Sequence, residues 1–456
     1  MRASELRFVK GRVQPRGATL RKSGQQPTRI IGISLRSARS ALAIVAMFVL
    51  AVAGPYCAQA QTFSVVHTFT GGDDGYQPAG TLTLDRAGNL YGTTTDQGGP
   101  GTVFQLKRTN GSWILNTLYT FLNSSDGFLP FGGVVFGPNG TLYGTTYYGG
   151  TGSGGGQCQY GCGTVFNLMP PARACKTALC DWTETAIYSF QGGSDGVDPN
   201  SALVFDPAGA LYGTTPRGGS AGVGVVFQLT PHNGEWTENI LHTFTGIRSD
   251  GAYPETGMIF DSVGNLYGTT IDGGSFGAGT VFQLTPSGSG WTTSTVHDFD
   301  GVNGGAVPQG ALTFDGSGKF YGTTAGGGLD DSGTVFELTS SGEGWFFSVL
   351  YSVPAGSDNS GPQGNLARDA AGNLYGATYD AGAHHDGSVF KLSPINGGWT
   401  YTSLHDFTGG ADGANPLSGV TLDSNGNLYG TTTLGGMQGG NNCNTLGCGV
   451  VWEITP

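Results

Sequence analysis

Apolar residues in this chain come in short bursts separated by glycine-rich turns, and the bursts recur in a fixed order. The order is clearest between residues 311 and 353. Ala311-Leu312-Thr313-Phe314-Asp315 is a first burst, and Gly316-Ser317-Gly318-Lys319 is a turn. Phe320-Tyr321-Gly322-Thr323-Thr324 is a second burst, Gly333 to Leu338 a third, and Trp345 to Val353 a fourth. Each is five to nine residues long, rich in β-branched and aromatic residues and bounded by turn formers, which predicts a strand. No part of the unit carries a helical period over ten residues. We label the four positions strands A, B, C and D.

Strand B is a phrase, Leu-Tyr-Gly-Thr-Thr, first met at residues 90–94. Its tyrosine returns, with small edits around it, at Tyr143, Tyr212, Tyr267, Tyr321, Tyr375 and Tyr429. The intervals from Tyr91 onward are 52, 69, 55, 54, 54 and 54 residues. A repeat of this length signals a solenoid, a propeller or an array, and four antiparallel strands per unit is the blade of a propeller. Seven copies therefore predict an all-β, seven-bladed β-propeller. The ends of the repeat agree. Gly449 to Ile454 reads as a strand C with no strand D after it, and Thr62 to Phe69 as a strand D with nothing before it. His67-Thr68-Phe69 matches His242-Thr243-Phe244 and His405-Asp406-Phe407. The N-terminal strand is thus expected to complete the seventh blade and close the ring, which removes exposed sheet edges. A solenoid would need distinct capping units, and none is visible. Residues 61–456 are expected to form one domain.

Composition separates residues 1–60 from the rest. They hold ten Lys or Arg and one acid, Glu5. The remainder keeps 10 of the 20 basic and 31 of the 32 acidic residues, a net charge of about −21. Such a body repels phosphate backbones and anionic lipid, so no nucleic-acid function is expected. Ala41 to Gly54 is an apolar run of 14 residues, preceded by Arg36 and Arg39 and followed by Ala58-Gln59-Ala60. This is the three-part layout of a secretory signal with an extended basic leader, cleaved after Ala60; an uncleaved anchor is the competing reading. Gly54-Pro55-Tyr56 is the wrong lead-in for a lipoprotein signal at Cys57. No further stretch could span a bilayer, and the chain reaches Trp452-Glu453-Ile454-Thr455-Pro456 with no C-terminal anchor. A secreted, periplasmic or extracellular bacterial monomer is the expectation.

The pattern Asp-x-x-Gly-Asn-Leu-Tyr-Gly-Thr-Thr, then Gly-Gly, then Gly-Thr-Val-Phe, resembles the GloVer-type tandem repeat of exported bacterial proteins and covers all seven units. More loosely it resembles the Asp-x-x-Gly-Asn-Leu-Trp repeats of two-component-sensor propellers. The resemblance implies a secreted or surface-anchored propeller. It brings no established activity, so no catalytic residue is carried over from it.

Two loops hold repeated aspartates. The A-to-B turn has Asp85, Asp206, Asp261, Asp315, Asp369 and Asp423, with Gly137 in the slot of unit two. A hairpin turn is the expected role and calcium the competing one, though each loop offers a single carboxylate. The loop into strand A has Asp74, Asp126, Asp195, Asp250, Asp358 and Asp412, each four residues before a proline, with Gly304 in unit five. In propellers this loop shares a face with the B-to-C loop. An acidic ring there could take a cation or a basic or polyhydroxyl ligand; turn chemistry is the plainer reading. The motif tyrosines, the series Phe104, Phe166, Phe227, Phe282, Phe336, Phe390 and Trp452, and the strand D tryptophans are expected to pack between blades.

Departures from the repeat carry the remaining candidates. Cys158 and Cys162 lie in the B-to-C loop of unit two, Cys175 and Cys180 in its C-to-D loop, and Cys443 and Cys448 in the B-to-C loop of unit seven. In an exported chain they read as three local disulfides, with zinc the competing reading. Tyr147 and Tyr148 open the unit-two insertion and, with Tyr76, Phe128 and Tyr253, could stack on sugar rings. His384-His385-Asp386 is a clustered histidine pair, but adjacent residues on an extended chain point to opposite sides. No metal, cofactor or nucleophile motif is found. The expected function is an exported, non-catalytic propeller binding a ligand, with a polysaccharide or surface protein as candidate partner. The alternative is a hydrolase or lyase acting on carbohydrate or a small cyclic substrate.

Overall fold

The repeated phrase owes its form to its glycine. In each unit Leu-Tyr-Gly-Thr-Thr or its variant forms a fully buried strand B, as at Leu90–Thr94 and Leu266–Thr270. Its glycine lies directly across from the strand C aromatic: Gly92 from Phe104, Gly268 from Phe282, Gly430 from Trp452. A Cβ on Gly268 would meet the Phe282 ring at 2.5 Å, so the ring fills the space a side chain would need.

The computed structural model describes residues 61–95, 99–122, 125–154, 158–171, 181–288, 290–342, 344–354, 361–436, 443 and 445–456. The expected signal at residues 1–60, Asp358 and the Cys175–Cys180 pair lie outside them. The described chain forms seven four-stranded antiparallel sheets in a ring, a seven-bladed β-propeller with no α-helix among the described residues. Blade four shows the order: Ile259–Phe260 pairs with Leu266–Thr270, that with Thr280–Ser287, and that with Gly290–Asp298. Strand A is shorter than its apolar burst suggested. In blade five it pairs only over Thr313–Phe314, because Asp315 already belongs to the turn. The seventh sheet runs Thr62–Thr68, Val450–Thr455, Leu428–Thr432, Thr421–Leu422, so the N-terminal strand is its outer strand.

Side chains of the motif join neighbouring blades. Tyr212 meets Phe260 of the next strand A edge-on at 5.1 Å and Trp291 of the next strand D at 5.9 Å. The same contact links the last blade to the first, where Tyr429 faces Trp113 at 6.0 Å. The turn aspartate explains the rest of the phrase. Asp261 accepts from the N–H groups of Val263 and Asn265, each at 2.9 Å, from Asn265 Nδ2 at 2.7 Å and from the Tyr267 hydroxyl at 3.1 Å. Four donors occupy the carboxylate's acceptor sites, so it is a hairpin fastener, as the turn reading required.

Candidate functional site

A second glycine brings the blades together around the axis. The glycine before each strand C has a left-handed backbone, and in six blades the next blade's proline seats against it; at Gly333 the backbone of Gly361 does so instead. A Cβ on Gly279 (φ 95°) would lie 2.6 Å from Cδ of Pro308, and one on Gly224 (φ 107°) 2.6 Å from Cδ of Pro254. The residue ahead of that proline is also left-handed in six blades: Gln77, Leu129, Asp198, Tyr253, Val307 and Asn415, with φ between 52° and 61°. Non-glycine residues in this region cost about 1–3 kcal/mol each, and a β-branched one such as Val307 is rarer still. The cost is offset by a two-sided clamp. Tyr253 N–H donates to the Val223 carbonyl of the preceding blade at 2.8 Å, and its own carbonyl accepts from Ile271 N–H at 3.2 Å. Val307 repeats this with Ala278 and Ala325, each at 3.0 Å.

The clamp sets the residue after each proline on the wall of a central cavity. This cavity has a volume of about 390 Å³ and is lined from all seven blades. Ala79, Phe131, Asn200, Glu255, Gln309, Gln363 and Leu417 occupy that position. The mouth widens into a second hollow of about 620 Å³ that shares Ala79, Phe131, Gln363 and Leu417 and adds Gln77, Leu129, Tyr379 and Thr433. The wall is not symmetric. Blades three to six contribute Asn200, Glu255, Gln309 and Gln363, whereas blades seven, one and two contribute Leu417, Ala79 and Phe131. At this one position in each blade, one side is polar and the other apolar.

Beside the apolar side lies an aromatic group. Phe131 meets Tyr147 at 5.7 Å, Tyr147 meets Tyr148 at 4.7 Å, and Tyr148 meets Phe128 at 5.4 Å and Tyr160 at 5.7 Å. Tyr160 is exposed and sits between Cys158 and Cys162, which form a disulfide. A bridge between Phe128 and Tyr148 places the loop into strand A alongside the B-to-C loop. Beside the polar side lies a charged group. Arg217 Nη1 donates to Asp198 Oδ2 at 3.2 Å. Burial pushes the Asp198 carboxyl up to about 6, against the opposing pull of Arg217 and the Tyr147 hydroxyl. Burial likewise raises Glu255, with Arg217 the charge that opposes it. Tyr147 is pushed up to about 12 by burial and by Asp198.

The expected site residues are distributed differently. Asp74, Asp126, Asp195, Asp250 and Asp412 do not line the cavity. Each is fastened to the end of a strand D. Asp250 accepts from Thr245 N–H at 2.8 Å and pairs with His242 Nε2 at 3.1 Å; Asp126 accepts from the Tyr119 hydroxyl at 3.0 Å and Leu122 N–H at 2.8 Å. In blade five Asp300 replaces them by accepting from Val302 and Gly304 N–H, each at 2.9 Å. These five aspartates thus act in turn chemistry, and the competing acidic ring is not assembled at the cavity wall from the described residues. Tyr76 is buried among Phe69, Phe104, Cys443 and Cys448, so it packs as core rather than facing a ligand. Tyr147, Tyr148 and Phe128 do come together, whereas Tyr253 does not line the cavity. His384 and His385 are exposed, His385 with φ 62°, and no metal-holding cluster occurs among the described residues. Two of the expected disulfides are present, Cys158–Cys162 and Cys443–Cys448.

Asp198, Arg217, Glu255, Phe131 and Tyr160 were not singled out in the sequence. Aligning the seven units on the loop proline exposes the signal. Glu255 is charged where its six equivalents are neutral, and Asp198 is the acidic residue among the seven that precede the prolines.

Comparison with known proteins was made in sequence and in structure. No curated protein is a significant match. Among solved structures the chain is similar to a proposed oxidoreductase (glucose dehydrogenase) of Thermus thermophilus, at 15% identity over 86% of this chain and 99% of that one, with a TM-score of 0.42. It is also similar to a proposed 6-phosphogluconolactonase of Bacteroides uniformis, at 15% identity over 75% and 96%, TM-score 0.46. A luciferin-regenerating enzyme is similar at 16% identity over 71% and 91%, TM-score 0.37. The Gloeobacter/Verrucomicrobia repeat, by contrast, matches in sequence over residues 156–316 and 307–456, more than half of the chain. With seven copies of one blade phrase and this match, the chain belongs to the Gloeobacter/Verrucomicrobia repeat family.

Proposed function

We propose that the protein is an exported propeller that binds a glycan at the channel mouth without transforming it. One observation carries this reading: the Phe131–Tyr147–Tyr148 group reaches the wall of a cavity whose opposite wall is polar. Aromatic faces take the apolar face of a sugar ring, and polar side chains take its hydroxyl edge. The Cys158–Cys162 disulfide, which brackets Tyr160, fits an oxidising compartment. The test is a glycan array followed by titration calorimetry. Tyr147→Ala is expected to weaken binding at least tenfold while the far-UV spectrum stays unchanged. Failure of every glycan to bind the intact protein would overturn the reading.

A second reading is a hydrolase or lyase acting on a carbohydrate or a small cyclic substrate. It draws on Asp198 and Glu255, two carboxyls raised by burial beside Arg217 at the same mouth. Perturbed acids in a cleft are a recognised mark of acid–base chemistry. Shortening of a bound oligosaccharide over time, abolished by Asp198→Asn, would favour it over simple binding.

A further inference from the structure

We infer that the ligand presents a protonated primary amine to the polar side of the channel mouth, and that the glycan is therefore an amino sugar. This rests on the proposed glycan reading and narrows it. The argument begins with acceptors that lack donors. Asn200 Oδ1 and Gln309 Oε1 are buried and have no hydrogen-bond partner among the described residues. Buried polar atoms are nearly always paired, and an unpaired one costs about 1–3 kcal/mol. Between these two, at the same position in the intervening blade, stands Glu255. Its carboxylate accepts no hydrogen bond from the described residues, and Arg217, the charge that acts on it, is engaged with Asp198. Asn200, Glu255 and Gln309 thus line one cavity from three neighbouring blades.

The charge of the wall selects among donors. Glu255 is the charged residue of the cavity lining, and no Lys, Arg or His accompanies it there. A neutral hydroxyl would offer one hydrogen and bring no positive charge to the carboxylate. An ammonium group offers three N–H donors and one positive charge, and charge-assisted hydrogen bonds are about twice as strong as neutral ones. Opposite this wall are Leu417, Ala79 and Phe131, with Tyr147 against Phe131 at 5.7 Å. That side receives the apolar face of a ring. A pyranose bearing an amine meets both walls at once. Acetylation of the amine would remove the charge and two of the three N–H donors.

The experiment titrates the exported protein with three oligomers of equal length: glucosamine, N-acetylglucosamine and glucose. Glucosamine oligomers are expected to bind at least tenfold more tightly than either of the others, with affinity falling as salt rises. Glu255→Gln should remove that preference while the melting temperature remains within a few degrees. Equal binding of charged and acetylated oligomers overturns the inference and leaves the glycan reading standing, as does an unchanged preference in Glu255→Gln. Binding of none of the three overturns both. The contrast between oligomers needs no variant, so a folding defect in Glu255→Gln does not remove the test.

Discussion

Arg217 donates to Asp198 across 3.2 Å, and the guanidinium is largely exposed while the carboxylate is buried. A backbone bridge between Val197 and Arg217 holds the two segments that carry the pair side by side. Burial is the larger influence on Asp198 and lifts it to about 6, and Arg217 is the main opposing charge. Replacing Arg217 by Gln is therefore expected to raise the Asp198 midpoint further. A carboxyl-detected NMR titration reads this directly, and an unmoved midpoint would contradict the assignment. Because one partner is exposed, the stability loss at neutral pH should be modest, about 1 kcal/mol.

The contrast between what the sequence revealed and what it hid lies in these same residues. The blade count, strand order and ring closure were legible because each depends on a local phrase repeated seven times, such as Tyr212 with its turn Asp206. Cys158–Cys162 was legible from spacing alone. The cavity wall was not, because it is assembled from one residue per blade, roughly a period apart in sequence. Asn200, Glu255 and Gln309 become neighbours only when the ring closes. The loop aspartates left two readings open in the sequence for the complementary reason. Asp250 looks like a site residue, but the partners that occupy it, His242 and Thr245, are themselves within a few residues of it.

Between blades, two half-buried glutamates set a pH dependence. Glu184 is raised to about 7 by burial and then by Asp126. Glu238 is raised strongly by burial and then by Asp195, to which it is hydrogen-bonded. Their ordinary value is 4.5, so between that pH and the raised values the folded protein holds more protons than the unfolded chain. Stability must then fall as pH rises through this window. On the acid side, Asp74 and Asp250 are lowered from 3.8 by their His and Thr partners, although burial, the largest influence, acts to raise them. Their contribution is present above 3.8 and is lost as pH falls below it. Calorimetry from pH 3 to 9 should find a melting maximum near pH 5, with a loss of roughly 2 kcal/mol by pH 8. Replacing both glutamates by Gln should flatten the alkaline limb; a limb that keeps its slope would exclude these two groups as its cause.

The motif glycine is a packing position. In Gly268→Ala the new methyl would stand 2.5 Å from the Phe282 ring and 3.2 Å from Met258. Overfilling a tight core costs about 1–3 kcal/mol. The matching change at Gly213, whose Cβ would meet the Phe227 ring at 2.4 Å, should cost the same to within about 1 kcal/mol. Chemical denaturation measures both, and a neutral result at either position would show that the ring can shift aside.

Reduction separates the site from the scaffold. Cys158–Cys162 closes a loop that carries Tyr160, and Tyr160 supports Tyr148 at 5.7 Å. The strands of blade two are paired independently of that loop. A reducing agent, or Cys158→Ser with Cys162→Ser, is expected to weaken ligand binding several-fold and to lower the melting temperature by only a few degrees. Loss of the fold with binding to any residual native protein unchanged would reverse that assignment.

The strongest structural prediction concerns the N-terminal strand. Thr62–Thr68 pairs with Val450–Thr455, and Phe63 stacks on His405 of the sixth blade at 3.6 Å. Phe69, fully buried, packs edge-on against Phe104 of the first blade at 5.3 Å. One short segment therefore touches three blades. Deleting residues 61–69 would expose the edge of Val450–Thr455, empty the Phe69 site and leave His405 without its stacking partner. Removing one buried phenylalanine alone costs about 3–5 kcal/mol, and an open edge invites pairing between molecules. A melting temperature many degrees lower and concentration-dependent aggregation are expected. A synthetic peptide spanning residues 61–70, added in trans, should restore part of the loss, because the edge it pairs with is otherwise intact. An unchanged melting curve in the deleted protein would mean that the seventh blade stands without its outer strand.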